Sequence, residues 1–525
     1  MKINNCRLLF IAIQFTISFC FISCRNKPGT DAAPISEIQT GVLQFEIDPG
    51  TTYQIIDNFG ASDAWSCQFV GQWPLAKKEK IADLLFSKQM DPNGNPEGIG
   101  LSLWRFNLGA GSARQGMASG IKDEWRRTGS FLREDGTYDW NRQKGQVWFA
   151  RAAKERDVEN FLIFSNSPPV SLTRNGKAYA DNGNRSNLSP ENYNEFARYL
   201  ARATEGLGNM GLTVDVISPV NEPQWDWDEG GQEGTSFRNN EIAAITRLLD
   251  KELEKRGLNT KIDIAEAGQI NYLYETAGKA QRGAQIEAFF RKSSENYVGD
   301  LSHLGRVISG HSYFTTSPRS ELVRQREELA KTLKKYPGLK YWMSEYCILG
   351  DNNNEIKGND RDLGIGPALY LARVIHHDLV VANASAWHWW LAVSPYDYKD
   401  GLIYIDKNKA DGNICESKML WALGNYSRFI RPGFQRVKVM KTSAGNTGDL
   451  LVSGYRDVEN KELILVAINS GQEDVKVNFI PTEKFPGPVR SYVTSAGKNL
   501  EHADIRKGKE LVIPGSSIVT LVYNN

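Results

Sequence analysis

The sequence predicts an α/β fold: a (β/α)8 TIM barrel followed by a C-terminal β-sandwich side domain that also takes an N-terminal strand. Three observations carry this reading. Eight short apolar runs alternate with helix-patterned segments between residues 59 and 427, the order that builds a parallel sheet with right-handed crossovers. Helical patterning stops after about Arg428, where short strands separated by Gly and Asn turns follow. Ahead of the barrel, Leu43, Phe45 and Ile47 alternate with polar residues, the period of a half-buried strand.

In chain order, residues 1–24 read as a lipoprotein signal peptide. Lys2 and Arg7 precede an apolar stretch from Leu8 to Phe21, too short for a comfortable membrane span and suited to a signal h-region. Phe21-Ile22-Ser23-Cys24 resembles a bacterial lipobox, with Phe21 where leucine is usual, and makes Cys24 the expected lipidation site. The plainer alternative is a secretory signal that happens to contain cysteine. Residues 25–41 form a flexible tether, 42–58 the strand that joins the sandwich, 59–427 the barrel and 428–525 the sandwich. The barrel runs are 59–65, 101–108, 161–165, 214–220, 261–265, 307–311, 340–345 and 384–390. Patterned helices at 141–156, 190–210, 239–256 and 319–336 precede the third, fourth, fifth and seventh of them. The sandwich strands are 463–469, 475–480, 489–494 and 518–523. An open doubly wound sheet is the second choice. It would show a Gly-rich nucleotide loop after the first strand, and Gly60-Ala61-Ser62 is not one.

Charge narrows the function classes. With 63 basic and 62 acidic residues the net charge is +1, which supplies no field for nucleic acid or anionic lipid. Membrane contact is expected only through the lipid anchor. Arg25-Asn26-Lys27 follows the lipidated cysteine rather than an acidic cluster, which favours the periplasmic side of a membrane over cell-surface display for this exported protein. A monomer is expected. The 13 Trp and 20 Tyr are either core or the stacking surfaces that sugar rings need, since a pyranose presents C–H groups to an aromatic face. Outside the leader only Cys67, Cys347 and Cys415 remain, enough for one disulfide at most. The 6 His form no His-x-His or HExxH pair and no CxxC occurs, so no metal and no cofactor are expected.

Chemistry in such a barrel sits at the C-terminal ends of the strands. The fourth run ends in Asn221-Glu222-Pro223 and the seventh in Ser344-Glu345-Tyr346. A lone glutamate at a strand end is usually solvated or salt-bridged. Two at one barrel mouth are what glycoside hydrolysis requires, with a carbohydrate as the partner. Glu266 and Glu229 are set aside because no matching segment accompanies them. Other strand ends offer binding groups: Asp63 and Trp65 after the first, Arg105 on the second, Asn166 after the third, Asn221 and Trp225 around the fourth, and His311 and Tyr313 at the sixth. On the eighth run, alternation is expected to turn Trp387 and Trp389 inward.

These segments resemble glycoside hydrolase family 30 of clan A. The resemblance rests on Asn221-Glu222-Pro223 and Glu345, on Asn58-Phe59-Gly60-Ala61-Ser62-Asp63-Ala64-Trp65, on Ser165-Asn166-Ser167-Pro168-Pro169, and on Pro514-Gly515-Ser516-Ser517-Ile518-Val519-Thr520. It spans about residues 42 to 525. It implies a retaining mechanism with Glu345 as nucleophile and Glu222 as acid/base, and Asn221 bonding the sugar 2-hydroxyl or the nucleophile. Cys67-Gln68-Phe69-Val70-Gly71-Gln72-Trp73-Pro74 resembles the branch that holds endo-β-1,6-galactanases. β-1,6-Glucanase, glucosylceramidase-like and xylanase activities share the scaffold. Two other classes compete: a non-catalytic glycan-binding lipoprotein, disfavoured because both carboxylates are present, and a metal-assisted hydrolase, disfavoured by the histidine count.

Overall fold

The computed structural model describes residues 41–183, 185–444, 448–457, 459, 462–483, 490–503, 505 and 511–523. The signal, the tether and Cys24 lie outside these residues. Residues 42–525 form one unit.

Its centre is a closed parallel barrel. The strands are Asn58–Ser62, Leu103–Asn107, Asn160–Phe164, Val216–Ser218, Lys261–Ala267, Leu304–His311, Lys340–Tyr346 and Ala386–Ser394, paired in that order. The eighth strand closes the ring: Ala386 pairs with Asn58 on one side and with Trp342 on the other. All residues of the first, second and eighth strands are buried, as strands packed on both faces must be. Their near-continuous apolar runs follow from that burial.

Crossover helices cover the outside. Lys144–Glu155, Tyr193–Asn209, Asn239–Lys255 and Arg319–Leu333 lie where patterning places helices, shorter by one to four residues in all. In Tyr193–Asn209 the buried residues Phe196, Ala197, Leu200, Ala203, Thr204 and Leu207 recur at helical spacing. Helices Leu75–Phe86 and Ile365–Val380 serve the same purpose for the first and seventh strands. Between the fifth and sixth strands there are only short helical turns, Asn271–Tyr274 and Gln285–Phe290. Strand Gly401–Ile405 adds in parallel to the edge of the eighth, and Ile414–Glu416 pairs with it antiparallel.

The second layer is a nine-stranded curled sheet. Its N-terminal contribution, Leu43–Ile55, pairs antiparallel with Gln435–Lys441 and parallel with Val475–Pro481. Leu43, Phe45 and Ile47 point into the core with Val437, Leu465, Val477 and Leu521, while Gln44 is exposed. The alternation in the sequence is thus the pleat of a one-sided strand. Helix Lys418–Ser427 docks the sheet on the barrel, where Asn425 exchanges hydrogen bonds of 2.9 and 2.7 Å with Thr520.

Candidate active site

The chain leaves the fourth strand through Val220 and Asn221. Glu222 takes a φ of 46°, a region a non-glycine residue seldom occupies. Its N–H donates to the Glu266 carbonyl at 2.8 Å. Its own carbonyl accepts from the Trp225 N–H at 3.1 Å and from Trp227 Nε1–H at 3.2 Å. One tight turn therefore aims the carboxyl group and draws in both tryptophans. Two glycines make room: a Cβ at Gly268 would fall 2.5 Å from Trp225 Nε1, and one at Gly234 2.5 Å from the Trp227 ring.

Glu345 ends the seventh strand opposite. Its Oε2 accepts from Arg105 Nη1 at 2.6 Å and its Oε1 from the Tyr313 hydroxyl at 3.0 Å. His311 lies between the two glutamates, with Nδ1 2.9 Å from Glu222 Oε1 and 3.6 Å from Glu345 Oε1. One atom from each of the three lies within 4.8 Å of the others. A cation could use such a trio only by displacing the groups already there, since Nδ1 faces Glu222 and a guanidinium faces Glu345. Arg105, fully buried, also donates from Nη2 to Asn221 Oδ1 and Glu266 Oε1, each at 3.2 Å, and stacks 3.6 Å above Phe164. Buried charge is tolerated here because it is paired and hydrogen-bonded.

Burial raises the Glu222 pKa, and the charge of Glu345 adds to this against the hydrogen bond and charge of His311. Burial pulls His311 down, but the charge of Glu345 and hydrogen bonds to Glu222 and Glu266 push it up to about 10. Burial raises Glu266, yet the charge of Arg105 and the bonds from His311 and Ser344 hold it well below the usual carboxylate range. A carboxyl group biased toward its protonated form thus faces a charge-paired carboxylate, the arrangement that acid-assisted displacement needs.

Around the pair is a cleft of about 410 Å³. Its walls include the rings of Trp65, Trp225, Trp227, Tyr313, Phe314 and Trp390. Trp65 meets Trp390 edge-on with ring centres 5.3 Å apart. Of the residues singled out in the sequence, Glu222, Glu345, Asn221, Trp65, Trp225 and Tyr313 border this cleft. Arg105, His311 and Asn166 lie beneath it, Asn166 accepting from Asn221 Nδ2 at 3.0 Å.

Three expectations need correction. Asp63 does not reach the cleft, because one oxygen accepts from the Asn107 N–H at 2.7 Å and the other from Gln146 Nε2 at 3.1 Å. Trp387 and Trp389 are fully buried and turned away: Trp387 Nε1 donates to Asp378 Oδ2 at 2.9 Å and Trp389 Nε1 to the Asp400 carbonyl at 2.8 Å. The inward pair is His388 and Trp390, of which His388 lies 2.6 Å from Asn58 Oδ1 and Trp390 walls the cleft. A strand buried on both faces shows no polar alternation from which to read that parity. Sequence patterning passes over Glu266, although it too sits at a strand end, one residue past the fifth apolar run. Cys67 and Cys347 are buried and Cys415 exposed, all as free thiols.

Comparison with known proteins matches residues 42–404 to the family model of O-glycosyl hydrolase family 30. An endo-beta-1,6-galactanase of Hypocrea rufa is 24% identical over 461 residues, 85% of each chain. A glucuronoxylanase of Bacillus subtilis is 28% identical over 388 residues, 71% of this chain and 77% of that one. Among solved structures, a conserved exported protein from Bacteroides fragilis superposes with a TM-score of 0.86 at 37% identity, covering 91% of this chain and 99% of the other.

Proposed function

The chain belongs to O-glycosyl hydrolase family 30, and we propose that this glycosidase cleaves a β-linked polysaccharide or oligosaccharide by double displacement, with retention at the anomeric carbon. Glu345 is the nucleophile and Glu222 the acid/base. The approach of the two groups carries this reading: an oxygen of each lies within 4.8 Å of the other. Retaining enzymes hold the pair ~5–5.5 Å apart, against roughly 6.5–9.5 Å where a water must fit between them for inversion.

In the first step Glu345 bonds to the anomeric carbon as the bond to the leaving oxygen breaks, and Glu222 gives that oxygen its proton. In the second, Glu222 takes a proton from water as the water oxygen attacks the same carbon and frees Glu345. Arg105 and Tyr313 hold Glu345 by 2.6 and 3.0 Å hydrogen bonds, and the aromatic walls supply faces for the sugar rings.

β-1,6-Galactan is the substrate to test first, in line with the relative from Hypocrea rufa that aligns over most of both chains. Glucuronoxylan is second, in line with the relative from Bacillus subtilis. A panel of linkage-defined oligosaccharides, with Glu222→Gln and Glu345→Gln beside the parent, tests the assignment. NMR of early product is expected to show the β anomer. An initial α product, or full activity in both variants, overturns it. Export and lipid anchoring at Cys24 form part of the proposal. Cys24→Ala should release the protein from membranes, and unchanged fractionation would refute the anchor.

A further inference from the structure

We propose that Glu266 is a positioning residue for the acid/base: its charge beside His311 Nε2 holds the ring as the imidazolium, which keeps His311 Nδ1 a donor to Glu222 Oε1, so that the transferable proton of Glu222 resides on Oε2. The inference rests on the assignment of Glu222 as acid/base. It comes from a third carboxylate that the double-displacement steps do not use.

Glu266 lies on the fifth strand, between the two catalytic strands, and is fully buried. Its φ of 47° places it, like Glu222, in the left-handed region, and its carbonyl accepts the Glu222 N–H at 2.8 Å. The two turns are therefore tied at the backbone as well as through His311. Every strand packed against Glu266 contributes a group to it. Arg105 Nη2 donates from the second strand at 3.2 Å, Ser218 Oγ from the fourth at 3.0 Å and Ser344 Oγ from the seventh at 2.6 Å. From the sixth, His311 Nε2 stands 2.8 Å away, while Ser309 Oγ accepts the Glu266 N–H at 3.0 Å. On its own strand Asp263 is pushed up to about 8, first by burial and then by the charge of Glu266. On the eighth, burial and then the charge of Arg105 bring His388 down to about 3. Among these titratable neighbours Glu266 keeps its charge, and that charge faces His311.

The chemical consequence concerns one proton. Between two carboxyl groups, an imidazole can hold both protons as a cation or leave one nitrogen as an acceptor. If Nδ1 were an acceptor, the proton of Glu222 would sit on Oε1 and point at His311, away from the leaving group. The negative charge of Glu266 favours the cation, and a proton already on Nδ1 excludes a second on Oε1. When Glu222 has given up its proton, the same cation stabilises the carboxylate that remains.

Leaving-group dependence tests this. Phenyl and 2,4-dinitrophenyl β-glycosides of the sugar the parent enzyme releases differ in whether departure needs a proton. Glu222→Gln should lose most of its rate on the phenyl substrate and little on the dinitrophenyl one. Glu266→Gln should show the same selectivity, with a loss of about 10- to 100-fold on the phenyl substrate. Its alkaline limb should also move to higher pH, because without the imidazolium Glu222 holds its proton more tightly. Equal losses on both substrates, or an unmoved limb, would overturn the positioning role while leaving Glu222 as acid/base. No selectivity in Glu222→Gln would instead overturn the assignment beneath it. Should Glu266→Gln fail to fold, His311→Gln takes its place: the same selectivity and the same shifted limb are expected, and equal losses or an unmoved limb overturn the role.

Discussion

The two ends of the barrel offer cavities of opposite character. The one at the N-terminal ends of the strands is the larger, about 970 Å³ against about 410 Å³ for the cleft. It is bordered where strands begin, at Asn58, Asn160, Lys261 and Lys340. Two acidic groups on its border are separately engaged: Asp57 pairs with Lys340 at 2.6 Å and accepts from Trp342 Nε1 at 2.9 Å, and Asp215 accepts the Phe161 N–H at 2.8 Å. In the smaller cleft two carboxyl groups confront each other across a shared histidine. Volume is the poorer guide to chemistry here. Strand polarity is the better one, because every strand delivers its last residues, with their freed backbone, to a single mouth.

The largest effect should come from the cleft. Glu345→Gln is expected to lower kcat/KM on the order of 10⁴-fold, while Asp57→Asn at the other end stays within about 2-fold, as surface changes away from a site do. Steady-state kinetics on the cleaved oligosaccharide checks both, and a comparable loss in Asp57→Asn would break the contrast between the two ends. Arg105→Met comes next. It strips Glu345 and Glu266 of their shared counter-ion and should destabilise the fold by about 3–5 kcal/mol in urea unfolding; an unchanged midpoint would mean that the buried charges are balanced some other way. Trp390→Ala should cost about 10-fold in kcat/KM, mainly through KM, by removing a ring from the wall. Trp387→Ala, its outward neighbour, should lower Tm and leave KM alone; a reversal of the pair would return the strand to the opposite parity.

The smallest effect concerns Asp263, which lies between the two ends, buried with its Oδ2 accepting from Ser218 Oγ at 3.0 Å and also bordering the larger cavity. Burial raises its pKa from 3.8 to about 8 in the folded protein. The native state thus holds a proton that the unfolded chain releases. That contribution to stability is fully present below about pH 4 and is lost as pH rises through about 8. Asp263→Asn should make the decline of Tm across this window shallower. An unchanged slope would show that Asp263 ionises alike in both states.

Much of this is legible in one dimension. Leu43, Phe45 and Ile47 announce a one-sided strand, because a pleat with one wet face must alternate. The barrel strands announce themselves as apolar runs for the converse reason, with both faces dry. Glu222 and Glu345 stand out because a carboxylate at the end of such a run opposes its apolar context, and a partner in the same position gives the opposition a use. Glu266 satisfies the first condition and lacks the second, since its partner is His311 and not another motif.

What the sequence determined by itself was therefore the order of strands and helices and the two carboxyl groups at the barrel mouth, all of which follow from local patterning. The tertiary structure alone decided that Trp390 rather than Trp387 or Trp389 faces the cleft, that Asp63 braces Asn107 and Gln146, and that Arg105, Glu266 and His311 bind the two glutamates into one network. Two physical reasons account for the three. A doubly buried strand carries no alternation to set its parity, and a hydrogen bond between residues on different strands, such as Asp63 to Asn107 or Arg105 to Glu345, depends on how the ring closes.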